Sequence, residues 1–314
     1  MLHLRVISPA GSTAEAVERL RSHAGTAHLV VHHGVAVEPD GDLVEADVAR
    51  EAADEVIDLL CGLGIDHDGG ITLEALDAAL SDSADRAEEA APGVGADAVV
   101  WEELVSRSGE ESRLNATFQA FLVIACLLAS VGVITDSPVT IVGAMVVGPE
   151  FGPLAALAVG LVLRRRDLMR RAGLALGVGF PLAMVVTALV TLLSEAVGLL
   201  DVTAFREGHA AVDFVYHIGW YSLIVALLAG AAGMLAMTSA KSAALVGVFI
   251  SVTTVPAAGF AAVAAVTGDW LRSLESVGQL AVNLIGIVAA AAAVLALRRR
   301  GQRVRAAGRP LSAG

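Results

Sequence analysis

The chain has 314 residues, of which 56 % are hydrophobic, and its mean hydropathy of +0.71 excludes an ordinary soluble protein. Residues 1–112 hold 24 acidic and 6 basic residues, a net charge of −18, whereas residues 113–314 hold 9 acidic and 15 basic residues, a net charge of +6. An acidic segment of this kind repels phosphates, which excludes a nucleic-acid partner.

Residues 1–80 predict a small α+β domain, because short alternating stretches are separated by two helical stretches. The predicted strands cover 2–7, 27–37, 43–48 and 71–76, and the predicted helices cover about 12–23 and 49–63. Ser12 or Thr13 is expected to cap the first helix. The order β-α-β-β-α-β predicts a ferredoxin-like soluble domain, a fold that does not by itself assign a function.

The soluble domain is expected in the cytosol, without disulfides or cofactors. The first residues lack the basic segment and the apolar stretch of a signal peptide. Cys61 and Cys126 fall in a predicted soluble helix and a predicted membrane span, which does not suit a disulfide. His28 and His32 share a face of the second predicted strand, so a metal site is conceivable. Solvated histidines are the favoured interpretation, because no cysteine or His-x-His spacing supports a metal.

Residues 81–112 predict a linker followed by an amphipathic helix. Residues 81–97 are rich in Ser, Asp, Glu, Ala, Pro and Gly, a composition typical of linkers. From residue 98 onward, Trp101, Leu104 and Val105 form an apolar face. This helix is expected to lie near the membrane, and a plain connecting helix is the alternative.

Residues 113–298 predict a six-span α-helical membrane domain, and residues 299–314 predict a basic cytosolic tail. A span needs about 20 apolar residues. Six stretches meet this requirement: 114–134, 137–163, 170–198, 213–238, 242–267 and 276–297. If all six cross, most flanking arginines and Lys241 fall on one side and most acids on the other. The positive-inside rule then predicts a multi-pass protein of the bacterial inner membrane with both termini cytoplasmic.

The second predicted span is interrupted at its centre by Gly148-Pro149-Glu150-Phe151-Gly152-Pro153. One proline costs a helix interior roughly 3 kcal/mol, so two of them predict a break. A carboxylate at membrane depth is rare and is commonly functional. A re-entrant hairpin is the alternative to a broken span. The charge balance favours a crossing segment, because a hairpin would place Arg164–Arg166 outside.

A second broken segment is predicted where residues 246–256 repeat the pattern of residues 142–153. Gly143 aligns with Gly247, and Pro153 nearly aligns with Pro256. Spans one to three would then repeat as spans four to six. Because three is odd, the second copy would be inverted. A 3+3 inverted repeat with paired broken helices is typical of transporters that bind their solute at the membrane midplane.

A polar site is expected where the two breaks meet, with Glu150 carrying a proton or a cation. The alternative is structural: a buried, hydrogen-bonded acid among helices packed through glycines such as Gly173, Gly177, Gly230 and Gly233. The residues expected at the substrate or ion site are Pro149, Glu150, Gly152, Pro153, Ser251, Thr253, Thr254 and Asn283.

The run of Gly143, Ala144, Met145, Pro149, Gly152 and Pro153, followed by a basic loop, resembles the prokaryotic "uncharacterised hydrophobic domain" family, domain of unknown function 389. The resemblance covers about residues 110–298 and implies a membrane domain without an established activity. Members of that family often carry an apolar residue where this chain has Glu150. The resemblance therefore implies that any role of this acid is specific to a subgroup.

Taken together, these patterns predict a membrane transporter or channel-like protein with a cytosolic regulatory domain. The alternative is a membrane-anchored sensor or scaffold whose soluble domain binds a ligand or a partner. No enzyme is expected, because HExxH, a catalytic Ser/His/Asp set and paired membrane aspartates are not visible. The expected partners are the lipid bilayer and a small solute or ion, and assembly into a homo-oligomer is left open.

Overall fold

The computed structural model describes residues 1–76, 78–91, 99–199, 219–238 and 254–307, with side chains as far as Gly301. These residues form two compact units. The first is built from Met1–Leu104 with Thr238, and the second is built from Val105–Met237 together with the described residues from Thr254 onward.

The first unit contains a four-stranded antiparallel sheet in the order β2-β3-β1-β4. Helices follow β1 and β3, so the sheet has the strand order and connections of the predicted β-α-β-β-α-β domain. The strands are β1 (Leu2–Ser8), β2 (Thr26–Val37), β3 (Asp40–Val48) and β4 (Gly70–Ala75). The helices are α1 (Ala10–Ser22), α2 (Ala53–Cys61), α3 (Ile65–Asp68) and α4 (Asp82–Ala90).

The core of the first unit lies between the sheet and its helices. Alternate residues of β1, among them Leu4 and Val6, are fully buried, as the two-residue period of a strand requires. They pack against Leu20 of α1 and against Val56 and Leu60 of α2. The alternation that predicted the strands from the sequence therefore reflects one buried face of the sheet.

The helices of the first unit begin and end differently from the prediction. Pro9 stands at the N-cap of α1, and the predicted cap Thr13 is buried, with its hydroxyl donating to the Pro9 carbonyl at 3.1 Å. The single helix predicted over 49–63 is a 3₁₀ turn followed by α2, and α3 follows after Gly64. Gly64 has φ +75°, a left-handed conformation that suits glycine and breaks the helix.

Helix α4 lies within the segment that composition predicted as a linker. Ser81 caps it, since its hydroxyl oxygen accepts hydrogen bonds from the amides of Ser83 and Ala84. Ala84 and Ala87 are buried against the rest of the first unit. A local cap and two small buried side chains are enough to order a short helix that average composition does not reveal.

The second unit is helical and apolar. The chain enters it along α5 (Trp101–Glu111). The helices that follow are α6 (Ala116–Ile134), α7 (Pro138–Val147), α8 (Phe151–Leu163), α9 (Arg166–Ala196), α10 (Trp220–Met237), α11 (Val255–Val266) and α12 (Trp270–Ala307). Among the described residues, α6, α9, α10 and α12 are each long and apolar enough to cross a membrane. The pair α7 and α8, bent by 55°, raises that number to five if it forms one span.

These helices are compatible with a multi-pass membrane protein, but six spans are not confirmed. The predicted fourth and fifth spans, 213–238 and 242–267, fall partly outside the described residues. In the fifth, α11 is a short apolar helix. The bent pair in the second is either a broken span or a re-entrant loop.

Among its described residues, the second unit has one large apolar core and smaller clusters that include α7. Helix α6 packs against α7, α9 and α11, and α12 packs against α8, α10 and α11. The core joins buried residues of six helices: Phe118, Leu122, Cys126, Leu154, Ala175, Leu176, Phe180, Ala183, Ala226, Ala229, Ala257, Ala258, Leu280 and Ile287.

Glycine brings α10 close to α12. A Cβ atom at Gly230 would lie 2.8 Å from the Cα of Ile287, so only glycine allows this approach. Gly233 is also buried. The packing role predicted for Gly173 and Gly177 is wrong within the described part of the chain, because both are exposed and a Cβ at either would meet nothing within 4 Å.

Candidate functional site

The break between α7 and α8 is built by its prolines and glycines. Helix α7 ends at Val147, Gly148 is extended, and Glu150 occupies the N-cap position of α8. Pro153 lies in the first turn of α8, where its missing amide proton breaks no helical hydrogen bond. A Cβ atom at Gly152 would lie 2.8 Å from the carbonyl oxygen of Glu111, so this position requires glycine.

Helix α11 begins in the same way as α8. Pro256 lies in its first turn, and Thr254 occupies its N-cap position. Both short helices therefore start with a proline in the first turn and a polar residue immediately before the helix. The first amides of each helix lack partners within the helix, so each start carries a partial positive charge of about +0.5.

The two helix starts meet in a hydrogen bond. The Thr254 hydroxyl donates to Oε1 of Glu150 at 2.6 Å, and neither residue has any exposed surface. A hydroxyl–carboxylate bond of this length is typical of a charge-assisted hydrogen bond. Two residues that the sequence placed in separate broken segments are thus in direct contact.

A second polar cluster joins α10 and α12, and we call it the amide cluster (Ser222, Gln279 and Asn283). The side-chain oxygen Oδ1 of Asn283 accepts from the Ser222 hydroxyl at 3.0 Å and from Nε2 of Gln279 at 3.2 Å. Nε2 of Gln279 also donates to the Ser222 hydroxyl oxygen. Gln279 and Asn283 are almost completely buried. Asn283, predicted at the site, therefore bonds within this cluster.

Two hydrogen bonds define how α12 lies along α11. The Ser273 hydroxyl donates to the carbonyl of Ala261 at 2.9 Å, and the Ser276 hydroxyl donates to that of Ala257 at 2.8 Å. A step of three residues forward along α12, from Ser273 to Ser276, thus moves the bonded partner four residues toward the start of α11. Helices α11 and α12 are therefore antiparallel neighbours, joined by hydrogen bonds from two buried serines of α12.

The other predicted site residues fall in three places. Pro149 is half-buried in the break, while Gly152 and Pro153 are buried in the first turn of α8. Ser251 and Thr253 lie outside the described residues. Ser222 was not predicted, because only the tertiary approach of α10 to α12 brings it to Asn283.

Helix starts recur at a constant spacing of 104 residues, the same spacing that separates Glu150 from Thr254. It relates the starts of α6 and α10, of α8 and α11, and of α9 and α12. The buried positions of α6 and α10 follow the same spacing. The pairs are Leu122 and Ala226, Ala125 and Ala229, Cys126 and Gly230, Ala129 and Gly233, Ser130 and Met234, and Val133 and Met237.

The buried faces of α9 and α12 also correspond, but their chemistry differs. The pairs include Ala172 and Ser276, Ala175 and Gln279, Leu176 and Leu280, Gly179 and Asn283, and Ala183 and Ile287. Small residues of α9 thus correspond to hydrogen-bonding residues of α12. The positions 104 residues before Gln279 and Asn283 therefore hold no amide side chain.

Residues 145–289 match the family model described as Domain of unknown function (DUF389). This stretch of the chain is similar to the DUF389 family. This confirms the family resemblance that the Gly-Ala-Met and Gly-Pro motifs predicted. The matched residues include Glu150, Thr254 and the amide cluster, so the whole candidate site lies inside the region of similarity. No curated protein and no solved structure matches the chain.

The histidines of the first unit face carboxylates. Nδ1 of His3 lies 2.8 Å from Asp47 and Nδ1 of His28 lies 2.6 Å from it, while His32 lies 3.9 Å from Glu45. Burial raises the pKa of Asp47, but the hydrogen bonds from His28 and His3 outweigh it and bring this pKa below its ordinary value. Among the described residues, no group of three or more His, Cys, Asp or Glu could hold a metal ion.

Proposed function

We propose that the protein is a transporter of a small solute or ion, with six spans arranged as two inverted halves and a cytosolic regulatory domain. The observation that carries this proposal is the hydrogen bond between Glu150 and Thr254. These residues occupy equivalent positions, 104 residues apart, each at the start of a short helix. Paired interrupted helices in two halves of a membrane protein are typical of transporters.

The inverted arrangement follows from the number of crossings in each half. The first half crosses three times if α7 and α8 form one broken span, and the described helices α10, α11 and α12 repeat α6, α8 and α9 at a constant spacing. Three crossings leave the second half upside down, related to the first by a pseudo-two-fold axis in the membrane plane. Equivalent residues that touch, as Glu150 and Thr254 do, must lie beside that axis, near the membrane midplane.

The chemistry of this position suits coupled transport. Backbone freed at a break cannot face lipid unsatisfied, so it must be buried in protein or line a wet cavity. Two helix starts contribute about +0.5 each, which balances one ionised carboxylate. Protonation of Glu150 then changes the charge at the axis by one unit and leaves the Thr254 hydroxyl without its charged acceptor. The neutral amide cluster offers a second set of hydrogen-bonding groups to a solute.

Charge supports the orientation that we propose in a bacterial inner membrane. Arg113, Arg164–Arg166 and the arginines from Arg298 onward flank the spans on one side, whereas Asp136 and Asp269 flank them on the other. The positive-inside rule places the arginine side and both termini in the cytoplasm.

A flux experiment tests the proposal. Full-length protein is reconstituted in proteoliposomes that contain a pH-sensitive dye, and proton movement is followed with a panel of ions and small polar solutes. The wild type should move protons with at least one member of the panel. Glu150→Gln and Thr254→Val should each reduce that flux by about tenfold or more, equivalent to 1.4 kcal/mol.

Thr187→Val is the matched control, because Thr187 is a fully buried threonine of α9, whereas Glu150 and Thr254 stand at the starts of α8 and α11. It should leave the flux unchanged. Wild-type flux in both Glu150→Gln and Thr254→Val would show that the site is elsewhere. Absence of flux across the whole panel, together with a ligand that raises the melting temperature of the soluble domain in the full chain, would favour a membrane-anchored sensor.

A further inference from the structure

A cluster in the first unit has the order of a nucleophilic relay, and we call it the serine cluster (Asp47, His28, Ser81 and Ser83). Oδ2 of Asp47 lies 2.6 Å from Nδ1 of His28. Nε2 of the same ring lies 2.7 Å from the hydroxyl of Ser81 and 2.9 Å from that of Ser83. Carboxylate, imidazole and hydroxyl thus follow one another within hydrogen-bond distance, the arrangement that activates a serine.

The backbone at His28 is distorted in a way that serves this arrangement. His28 has φ +51°, which is uncommon for a residue other than glycine and costs free energy. The pairing of β2 with β3 shifts register between Ala27 and Val30, so His28 lies in a β-bulge. Bulges and strained residues are frequent beside active sites, where they turn a side chain out of its regular direction.

The hydrogen bonds determine where the imidazole carries its proton. Asp47 is mostly buried and also accepts from His3, so its carboxylate is held as an acceptor. The proton of neutral His28 then lies on Nδ1, and Nε2 keeps a lone pair directed at the serine hydroxyls. This is the tautomer that a general base needs in order to remove a proton from serine.

The two serines differ in their freedom to react. The Ser81 oxygen accepts from the amides of Ser83 and Ala84 as the cap of α4, so its lone pairs are already engaged. The Ser83 oxygen contacts His28 and lies 2.7 Å from the Ser81 oxygen. Both serines are partly exposed, and 39 % of the His28 side chain is exposed, so a small substrate can reach the cluster.

We infer that Ser83 is the nucleophile of an acyl-transfer site formed by the serine cluster, with His28 as general base and Asp47 orienting its ring. The Ser83 oxygen attacks the carbonyl carbon of an ester while its proton passes to Nε2 of His28. The ester C–O bond breaks, and the alcohol leaves with that proton. Water then attacks the acyl-serine, gives a proton to His28 and releases the carboxylic acid, and Ser83 recovers its proton.

The surrounding charge selects the class of ester. Asp82 and Asp85 flank Ser83 on the exposed side of α4, and the first 112 residues carry a net charge of −18. Anionic esters are repelled by such a field, whereas neutral and cationic ones are not. The substrate class is therefore a small neutral or cationic ester.

Hydrolysis of p-nitrophenyl acetate by the full-length protein in detergent tests the inference. Wild-type protein should exceed Ser83→Ala by about 100-fold, the scale of general acid–base catalysis. Asp47→Asn should lower the rate similarly, because it favours the wrong tautomer of His28 while preserving the packing. Ser22→Ala, which removes an exposed serine of α1, is the control and should hydrolyse the ester at the wild-type rate.

Labelling with a fluorophosphonate, followed by mass spectrometry of the peptides, identifies the reacting residue independently of turnover. The label should appear on Ser83 in the wild type and in Ser22→Ala, and circular dichroism should show that each variant remains folded. Equal hydrolysis rates in wild type and Ser83→Ala, or a label on no serine or on another serine, would overturn the inference. The cluster would then serve only to cap α4.

Discussion

At the scale of single residues, the hydrogen bond from Thr254 to Glu150 joins two side chains that lie far apart in the chain. The sequence indicated both, because prolines and an ionisable group in an apolar run are visible without a structure. Their contact could not be predicted, since it depends on how two helix starts approach each other. The same limit applies to Ser222 and to the serine cluster, whose members come from β2, β3 and the start of α4.

Exchange of the two residues tests their equivalence. Glu150→Thr alone removes the acceptor, and Thr254→Glu alone brings two carboxylates together. Each should lower the free energy of unfolding by about 2–3 kcal/mol, the scale of a charge-assisted hydrogen bond. The double variant restores an acid opposite a hydroxyl and should recover most of this loss. Thermal unfolding in detergent measures the effect, and simple addition of the two losses would contradict the equivalence.

Asp54 makes the first unit sensitive to pH. Burial raises the pKa of Asp54 to about 7 from 3.8, and the hydrogen bond from the Trp101 amide only partly opposes this rise. A carboxyl whose pKa is raised by folding stabilises the fold fully below pH 4, and this contribution is lost as the pH rises through 7. Between pH 5 and pH 8 the loss should be on the order of 1–3 kcal/mol.

Hydrogen exchange measures this effect at the residues around Trp101. Exchange in the wild type should be faster at pH 8 than at pH 5 after correction for the intrinsic rate. Asp54→Asn cannot ionise, so its corrected rates should be equal at the two pH values. The lowered pKa of Asp47 acts in the opposite direction at more acidic pH and leaves this window unaffected.

At the scale of elements, the sequence predicts that a helix or strand exists better than it predicts the residues at which that element begins and ends. Strand alternation reflects one buried face of the sheet, and all four alternating stretches correspond to described strands. The long apolar runs correspond to helices as far as the described residues extend. The cap at Pro9 and the short α3 and α4 depend on single turns, where one glycine or one serine decides the outcome. Composition averaged over ten residues cannot detect them.

Two glycines of predicted spans offer a matched test of helix packing. Gly230→Ala would force the backbone of α10 away from Ile287 and should cost about 1–3 kcal/mol. Gly173→Ala faces open space on α9 and should cost nothing, because alanine is the better helix former. Thermal unfolding in detergent compares the variants. Equal melting temperatures for both would show that α10 and α12 do not approach as closely as described.

At the scale of the whole molecule, the charge division of the chain predicts its topology in the membrane. Apolar length identifies the spans, but only the flanking charges distinguish one side from the other.

Cysteine labelling in intact cells tests the topology. In a background in which Cys61 and Cys126 are replaced by alanine, cysteines at Ser137 and Thr203 should react with a reagent that does not cross the membrane. A cysteine at Ser242 should react only after the cells are opened, and native Cys61 in an otherwise cysteine-free chain should behave in the same way. The reverse labelling pattern would show that every span crosses the membrane in the opposite direction.

The constant spacing of 104 residues suggests how the proposed transporter arose. A three-span ancestor of that length, with few flanking charges, would insert in both orientations and pair with an inverted copy of itself. A symmetric dimer has either two acids on its axis or none, and two adjacent carboxylates repel each other. Gene duplication and fusion remove that restriction. The fused chain can keep a single acid, Glu150, opposite a single hydroxyl, Thr254.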